Sequence, residues 1–252
     1  MLSHAREIVA ALDRTIEAVR QADSEPVGEV SFGLPSSVSM VLSVPLAETV
    51  RLELPRVRLC AVEAMSGFIQ TWLEDQSLDL GILYDVSAVR HLRHRQLMTE
   101  DLCFFAAADA WPFAREPGTP VRLAELGGLE MVLPSRRHGL RITIDRIARS
   151  HGLATSIATE MDARGQIKTM VARGSGHTIL APAAAIDFVD RGDLVMAPIV
   201  EPRITRPVFL VRNPAKPATA ASNEVERIMG TVIHDLIARG IWSADHGGGG
   251  AP

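Results

Sequence analysis

The sequence predicts an α/β protein with two lobes, and three observations support this prediction. Short β-branched segments alternate with segments of helical periodicity, once over residues 29–83 and again over residues 102–180. Of the 252 residues, 47% are apolar and 22% are charged, which is typical of a globular protein with a sizeable core. The segment 165–182 is the clearest single unit, because a helical register ends at Gly174 and Gly176 directly before an apolar strand.

A repeating apolar seam marks residues 1–24. Its apolar positions alternate steps of three and four, charged residues fill the positions between them, and Pro26 and Gly28 end the helix. We interpret the seam as a dimerisation helix that pairs with a second copy of the chain; the alternative is a helix packed on its own domain. The seam residues are Leu2, Ala5, Val9, Leu12, Ile16 and Val19.

A strand–helix–strand–helix–strand pattern follows this break. Such a pattern predicts a parallel sheet with right-handed crossovers. The predicted strands are 29–33, 58–62 and 80–83; one predicted helix runs through Val38, Leu42 and Leu46, and the next carries Phe68, Ile69, Trp72 and Leu73 on one face.

A second set of elements predicts the second lobe. Its strands are 102–107, 130–133, 156–159 and 177–180, and its helices are 142–150 and 167–173. A strand at 208–211 and a helix at 225–238 close the chain, and we expect this helix to return to the first lobe. We therefore divide the chain into the helix 1–24, lobe I (28–100 plus 216–241), lobe II (101–215) and a glycine-rich tail, 243–252, which is expected to be disordered.

Charge and hydropathy argue against two classes of protein. The net charge of −4 and the pI of about 6.1 disfavour nucleic-acid binding by this chain alone. The basic cluster at 90–95 lacks interleaved aromatic residues, so we expect it to form a solvated face. No apolar run approaches the ~18 residues that span a bilayer, and a polar segment follows Met1 where a signal peptide would have its apolar core. We expect a cytoplasmic protein without a membrane partner.

We expect no catalytic centre, cofactor or metal site. The sequence contains no Gly-x-Ser-x-Gly elbow, no P-loop and no His-Glu-x-x-His motif. His91 and His94 have no third metal ligand near them in sequence. Cys60 and Cys103 both lie in apolar runs, which predicts reduced core thiols and no disulfide.

Serine residues stand where predicted strands lead into helices. In open α/β sheets, ligands bind beyond the carboxyl ends of the strands. A helix N-terminus favours a small anion there through its free N–H groups and its dipole. We therefore expect Ser36, Ser37, Ser66 and Ser135 to converge on one anion-binding cleft. The alternative is that each serine only caps its own helix.

Three further residues are candidates for the same cleft. Tyr84, the only tyrosine, follows a predicted strand and either supplies a hydroxyl to the cleft or packs half-buried. His138 precedes a helix and either donates to an anion or caps the turn. Thr178 points to one face of its strand, and the sequence does not tell whether that face is the cleft.

Four motifs taken together resemble the effector-binding domain of LysR-type transcriptional regulators. They are Gly33-Leu-Pro-Ser-Ser37, Val62-Glu-Ala-Met-Ser66 with the downstream Leu78-Asp-Leu-Gly-Ile82, Pro134-Ser-Arg-Arg-His-Gly-Leu-Arg141, and the segment 165–182. They stand in the family's order, and the segment 201–207 is similar to its return strand. Ala64 departs from the family, which usually has glycine there. The winged helix-turn-helix of the family does not precede the first helix.

The resemblance implies a two-lobed, periplasmic-binding-protein-like (type II) fold preceded by a linker helix that dimerises. It also implies effector contacts from the loops that carry Ser36, Ser37, Ser66, Ser135 and His138. We therefore expect a ligand-sensing domain that binds a small anionic metabolite between its lobes and transmits binding to DNA-bound subunits of a homodimer or homotetramer.

DNA contacts are expected only through the absent winged domain. Two explanations for its absence stay open: Met1 starts within a longer protein, or the chain is a naturally truncated sensor. The alternative functions are a free-standing solute-binding protein of a transporter and a small enzyme on the same fold.

Overall fold

The computed structural model describes residues 25–242. The predicted dimerisation helix at 1–24 and the predicted tail at 243–252 lie outside the described residues, so both stay predictions. None of the helices within 25–242 is long and apolar enough to cross a membrane.

The described chain alternates strands and helices, as predicted. The strands are β1 (Gly28–Leu34), β2 (Val57–Glu63), β3 (Leu80–Leu83), β4 (Arg93–Ala107), β5 (Val121–Arg122), β6 (Glu130–Leu133), β7 (Ser156–Glu160), β8 (Thr178–Leu180), β9 (Leu194–Val200) and β10 (Ile204–Arg212). The helices are α1 (Ser36–Glu53), α2 (Ser66–Glu74), α3 (Gly139–Ser150), α4 (Arg164–Ala172), α5 (Ile186–Asp190) and α6 (Ala220–Ala238). Short 3₁₀ turns lie at Leu123–Leu126 and Pro182–Ala184.

Most strands join one mixed sheet in the order β2-β1-β3-β10-β4-β9-β5, with β8 also paired to β4. The predicted parallel unit is confirmed, because β1 pairs in parallel with both β2 and β3. Strands β6 and β7 form a separate parallel pair. Parallel strands end at the same edge, so the turns after β1, β2 and β3 lie side by side, and so do those after β6 and β7.

Two long antiparallel strands, β4 and β10, connect two hydrophobic cores. Met98 of β4 and Val208 of β10 belong to a first core with α1 and α6, so the last helix returns to the first set of elements, as predicted. Leu102 of β4 and Ile204 of β10 belong to a second core with α3 and α4. The cores therefore meet along these two strands, and the predicted boundary at residue 100 falls within β4.

The strand prediction was too short for β4, which begins at Arg93 and not at residue 102. Its first four residues are exposed and polar, so they lack the apolar signal that marks a buried strand. The predicted solvated face of the basic cluster is confirmed for Arg93, His94 and Arg95, although these residues are part of the strand. Strands β5 and β9 were not predicted; β9 carries Pro198, which weakens a strand signal.

Two glycines set the position of α2 on the sheet. A Cβ built on Gly81 would lie 2.8 Å from Ile69 Cγ2 and 2.9 Å from Leu73 Cδ1, and one on Gly33 would lie 2.5 Å from Leu78 Cδ1. Ile69 and Leu73 are fully buried residues of α2. The absence of a side chain at Gly33 of β1 and at Gly81 of β3 thus lets α2 approach the sheet closely. This close approach fixes the position of Ser66, the first residue of α2.

We predict that Gly81→Ala destabilises the protein by about 1–3 kcal/mol, because both buried side chains of α2 must shift. Gly230→Ala in α6 is the matched control, since its added methyl meets nothing within 4 Å. That change should stabilise the protein by roughly 0.5–1 kcal/mol through helix propensity. Urea unfolding measures both changes. Equal stability of the two variants would contradict the packing constraint.

Candidate ligand-binding cleft

A cavity of about 210 Å³ lies where the two sets of elements face each other. Ser36, Ser66 and Tyr84 line it from one side, directly after β1, β2 and β3. His138 and Arg164 line it from the other side, in the segments that follow β6 and β7. The cavity, which we call the cleft cavity, is therefore bounded by the carboxyl ends of five strands, where α/β proteins bind ligands.

Four helices begin at this cavity. Ser36, Ser66 and Arg164 are the first residues of α1, α2 and α4, and Gly139 is the first residue of α3; all four line the cavity. The first N–H groups of a helix have no partner within the helix, and the helix dipole places partial positive charge there. The four N-termini together therefore favour an anion.

The serines do not cap these helices. The N-cap residues of α1 and α2 are Pro35 and Met65, and neither N-cap side chain accepts a capping hydrogen bond. Ser36 and Ser66 follow these N-caps as the first helical residues. The alternative in which each serine only satisfies its own helix is therefore wrong for these two positions, and their hydroxyls stay available to a ligand.

Arg164 supplies an unpaired positive charge. Its Nη1 is buried and has no hydrogen-bond partner among residues 25–242. Burial lowers the pKa of Arg164, and the positive charge of Arg206 lowers it further, while Tyr84 and Glu63 oppose the shift. A guanidinium stays protonated at neutral pH despite such a shift. Arg164 is half-buried, and a buried guanidinium nitrogen without a partner is unfavourable, so an anion that binds the guanidinium would gain a favourable interaction.

His138 faces the cavity as a neutral donor. Its Nδ1 accepts a hydrogen bond of 3.2 Å from the backbone N–H of Leu140, so His138 is the N-cap of α3. The neutral ring then carries its proton on Nε2. Burial lowers the pKa of His138 to about 4, with further lowering by Arg164 and Arg206 against the opposite effect of Asp162. Both predicted roles, capping and donation, are thus compatible in one residue.

A buried network lies beneath the cavity. The Arg206 guanidinium pairs with the Glu100 carboxylate, donates to Ser37 Oγ at 2.9 Å and donates to the Tyr84 hydroxyl at 3.1 Å. The Trp242 indole N–H donates to Glu100 Oε2 at 3.1 Å. Burial alone would lower the pKa of Arg206, but the Glu100 carboxylate raises it above its usual value. The positive charge of Arg206 is thus balanced by the Glu100 carboxylate inside the protein. Arg164, in contrast, has no such ion pair among residues 25–242.

The network explains where Ser37 and Tyr84 point. Ser37 is buried, bonds to Tyr84 and Arg206, and does not line the cleft cavity. Tyr84 does line it, and burial raises the pKa of its hydroxyl. The structure therefore places Tyr84 between the network and the cavity, while Ser37 supports it from behind.

Besides Ser37, two predicted site residues lie apart from the cavity lining. The backbone N–H of Ser135 donates to Asp162 Oδ1 at 2.9 Å, which joins the turns after β6 and β7. Thr178 is fully buried beside Phe105 of β4, and its Oγ1 has no partner among the described residues. Neither residue lines the cleft cavity. Their predicted roles in effector binding stay predictions.

Sequence reasoning missed Arg164, Arg206 and Glu100. Arg164 stands one residue before the segment 165–182, and Arg206 lies within the segment 201–207, so both stretches were recognised for other reasons. A charged residue inside an otherwise alternating apolar strand was the available signal for Glu100 and Arg206. For Arg164, no sequence signal distinguishes an unpaired buried cation from an exposed one.

Comparisons with known proteins agree on one family. The family model described as the LysR substrate binding domain matches residues 23–231. The chain is 26% identical over 229 residues to the nitrogen assimilation regulatory protein nac of Klebsiella aerogenes, covering 89% of this chain and 73% of that protein. It is 24% identical over 186 residues to the Escherichia coli K12 protein of the same name, covering 73% of this chain and 59% of that protein.

Solved structures share the fold. The Corynebacterium glutamicum OxyR C206 mutant superposes with a TM-score of 0.75 at 20% identity, covering 94% of this chain and 74% of that one. The Synechocystis PCC6803 CcmR regulatory domain in complex with 2-PG gives 0.73 at 16% identity, with 83% and 99% coverage. The effector binding domain of QuiR in complex with shikimate also gives 0.73 at 16%, with 83% and 98% coverage. The predicted two-lobed, periplasmic-binding-protein-like fold is confirmed.

We predict that Glu100→Gln destabilises the protein by about 3–5 kcal/mol, because it leaves the Arg206 charge buried without a carboxylate. Asp101→Asn on the adjacent residue is the matched control. Asp101 pairs with Arg203 at 2.6 Å, but half of the Arg203 side chain is exposed, so this change should cost less than about 1 kcal/mol. Urea unfolding measures the free energy of unfolding of both variants. If Glu100→Gln lowers this free energy no more than Asp101→Asn does, Glu100 is not the residue that compensates the buried Arg206 charge.

Proposed function

Because the chain belongs to the LysR substrate-binding domain family, we propose that it is the ligand-sensing part of a transcriptional regulator and binds a small anion between its two lobes. Arg164 is the observation that carries the proposal: Arg164 lines a cavity at four helix N-termini, and its buried Nη1 has no partner among residues 25–242. An anion in the cavity would neutralise this charge and accept from the free N–H groups.

The polar side chains around Arg164 fit the same ligand chemistry. Ser36 and Ser66 each offer a hydroxyl donor, and His138 offers its Nε2–H while it stays neutral. None of them adds a negative charge that would repel an anion. The CcmR and QuiR domains, which share the fold, were solved with 2-PG and shikimate bound, which supports a small-molecule ligand for this chain as well.

The mechanism we propose is a shift between lobe arrangements. A ligand that touches Ser66 on one side and Arg164 on the other gains most when the two sides are close, so it favours a closed arrangement over an open one. Strands β4 and β10 are shared by both cores and would carry the movement. The division into lobes I and II is part of this proposal.

The regulator would reach DNA through a domain outside these 252 residues. The nac relatives are regulatory proteins, and this chain spans 73% and 59% of their lengths. We propose that subunits associate through the seam at 1–24 as a homodimer or homotetramer. No enzymatic activity is proposed, because the relatives named above are regulators.

We predict that Arg164→Met abolishes the stabilisation that inorganic phosphate, sulfate or short carboxylates give to the wild-type protein. In the absence of anions, the same variant should melt at a higher temperature than the wild type, because it no longer leaves a buried guanidinium nitrogen without a partner. An anion at 100 times its Kd should stabilise the wild type by about 2.7 kcal/mol. Melting temperatures with and without each anion provide the measurement.

Arg173→Met is the matched control, since Arg173 is an exposed arginine at the opposite end of the same helix. This control should keep the wild-type response to anions and change the stability without anions by less than about 0.5 kcal/mol. An Arg164→Met protein that is stabilised by anions as strongly as the wild type would rule out the proposed site.

A further inference from the structure

A second and larger chamber adjoins the cleft cavity. The outer chamber has a volume of about 840 Å³ and shares the wall residues Ser66, Gly67, Tyr84 and Gly139 with the cleft cavity. Pockets that hold organic ligands usually measure ~300–1,000 Å³. The cleft cavity, at about 210 Å³, is below this range, whereas the outer chamber is within it. The smaller space fits an anionic group, and the larger one fits the body of an organic molecule.

Two of the residues that line both spaces are glycines, Gly67 and Gly139. A Cβ added to Gly67 or to Gly139 would meet nothing within 4 Å. Neither glycine has a positive φ, so neither backbone conformation requires glycine. Internal packing therefore does not explain why these positions lack side chains. The lack of side chains at Gly67 and Gly139 leaves open space where the cleft cavity and the outer chamber share their lining.

Apolar side chains form part of the wall of the outer chamber, beside polar residues such as Gln70 and Thr143. Strand β10 alternates buried residues with half-buried ones, and its half-buried Pro207 and Phe209 line the chamber. Ile142 of α3 lines it from the opposite side and is 51% exposed, and Val86 lines it after β3. Apolar side chains left open to solvent beside a cationic cavity favour a ligand that covers them.

The rim of the chamber is charged and open. Asp85, Arg90 and Arg146 line it, all three with exposed side chains. Hydrogen bonds from the backbone and the side chain of Ser87 lower the pKa of the Asp85 carboxyl most. The positive charge of Arg146 lowers it further. The far end of a bound molecule would therefore stay in contact with water.

We propose that the effector is an elongated, amphipathic organic anion. Its anionic group binds at Arg164 in the cleft cavity, and its apolar body passes Gly67 and Gly139 into the outer chamber against Ile142 and Phe209. This proposal rests on the proposed function, because it assumes that the cleft cavity takes the anion. It adds the class of molecule: a carboxylate with an apolar chain or ring is preferred to a compact oxyanion.

A series of linear carboxylates tests this assignment on the full chain. Acetate, butyrate, hexanoate and octanoate share one anionic group and differ only in apolar length. Dissociation constants are measured by isothermal titration calorimetry for the wild type and for Ile142→Trp, in which an exposed position on α3 gains a larger side chain that occupies the part of the chamber beside the shared lining residue Gly139. Arg149→Trp, an exposed position on the same helix that does not line the chamber, is the matched control.

The expected result is an affinity that rises by about two- to fourfold for each methylene in the wild type and in Arg149→Trp. Ile142→Trp should bind acetate as the wild type does and lose most of this gain with length. If the wild type binds all four acids equally, or if Ile142→Trp keeps the full gain in affinity with chain length, the outer chamber does not bind the apolar body of the effector. Either result would leave the anion site in place. Failure of acetate and of every longer acid to bind the wild type would overturn the proposed function and this inference with it.

Discussion

The buried ion pair between Arg206 and Glu100 lies where the two cores meet. The two residues are Cα partners on adjacent strands, β10 and β4, with Ile204 and Leu102 in one core and Val208 and Met98 in the other. Neither charge tolerates burial without its partner. Each also binds neighbours, and these bonds fix the positions of Ser37, Tyr84 and Trp242 relative to the two strands. One ion pair, Arg206–Glu100, therefore fixes the residues that lie beneath the cleft cavity.

The pairing with Glu100 also distinguishes the two arginines near the cleft cavity, Arg206 and Arg164. Arg206 and Arg164 both lie beside Tyr84, but Arg206 is neutralised by Glu100, and Arg164 Nη1 has no partner within 25–242. Burial lowers the pKa of Arg164 and of His138 most, and the positive charge of Arg206 lowers both further. The charge of Arg206 is thus satisfied within the protein, and we propose that Arg164 binds the ligand. An anion between the lobes would complete the second pair.

The sequence predicted the parallel unit, the two sets of elements and the turns that bear Ser36, Ser66, Tyr84 and His138, because apolar periodicity and glycine or proline breaks are local signals. It did not predict the length of β4, whose first residues are exposed. It also did not predict the hydrogen bond from Arg206 to Ser37, because this bond joins residues that are 169 positions apart in the chain. Long-range pairs such as Arg206–Glu100 leave no periodic pattern, so only the folded structure reveals them.

Anomalous diffraction from a crystal grown with selenate tests whether Arg164 binds an anion, because selenate is a tetrahedral anion small enough for the cleft cavity. We expect a selenium peak in that cavity with selenate oxygens about 3 Å from the Arg164 guanidinium and from the N-terminal N–H groups of α2 and α3. Selenium peaks elsewhere on the protein, with none beside Arg164, would contradict this expectation.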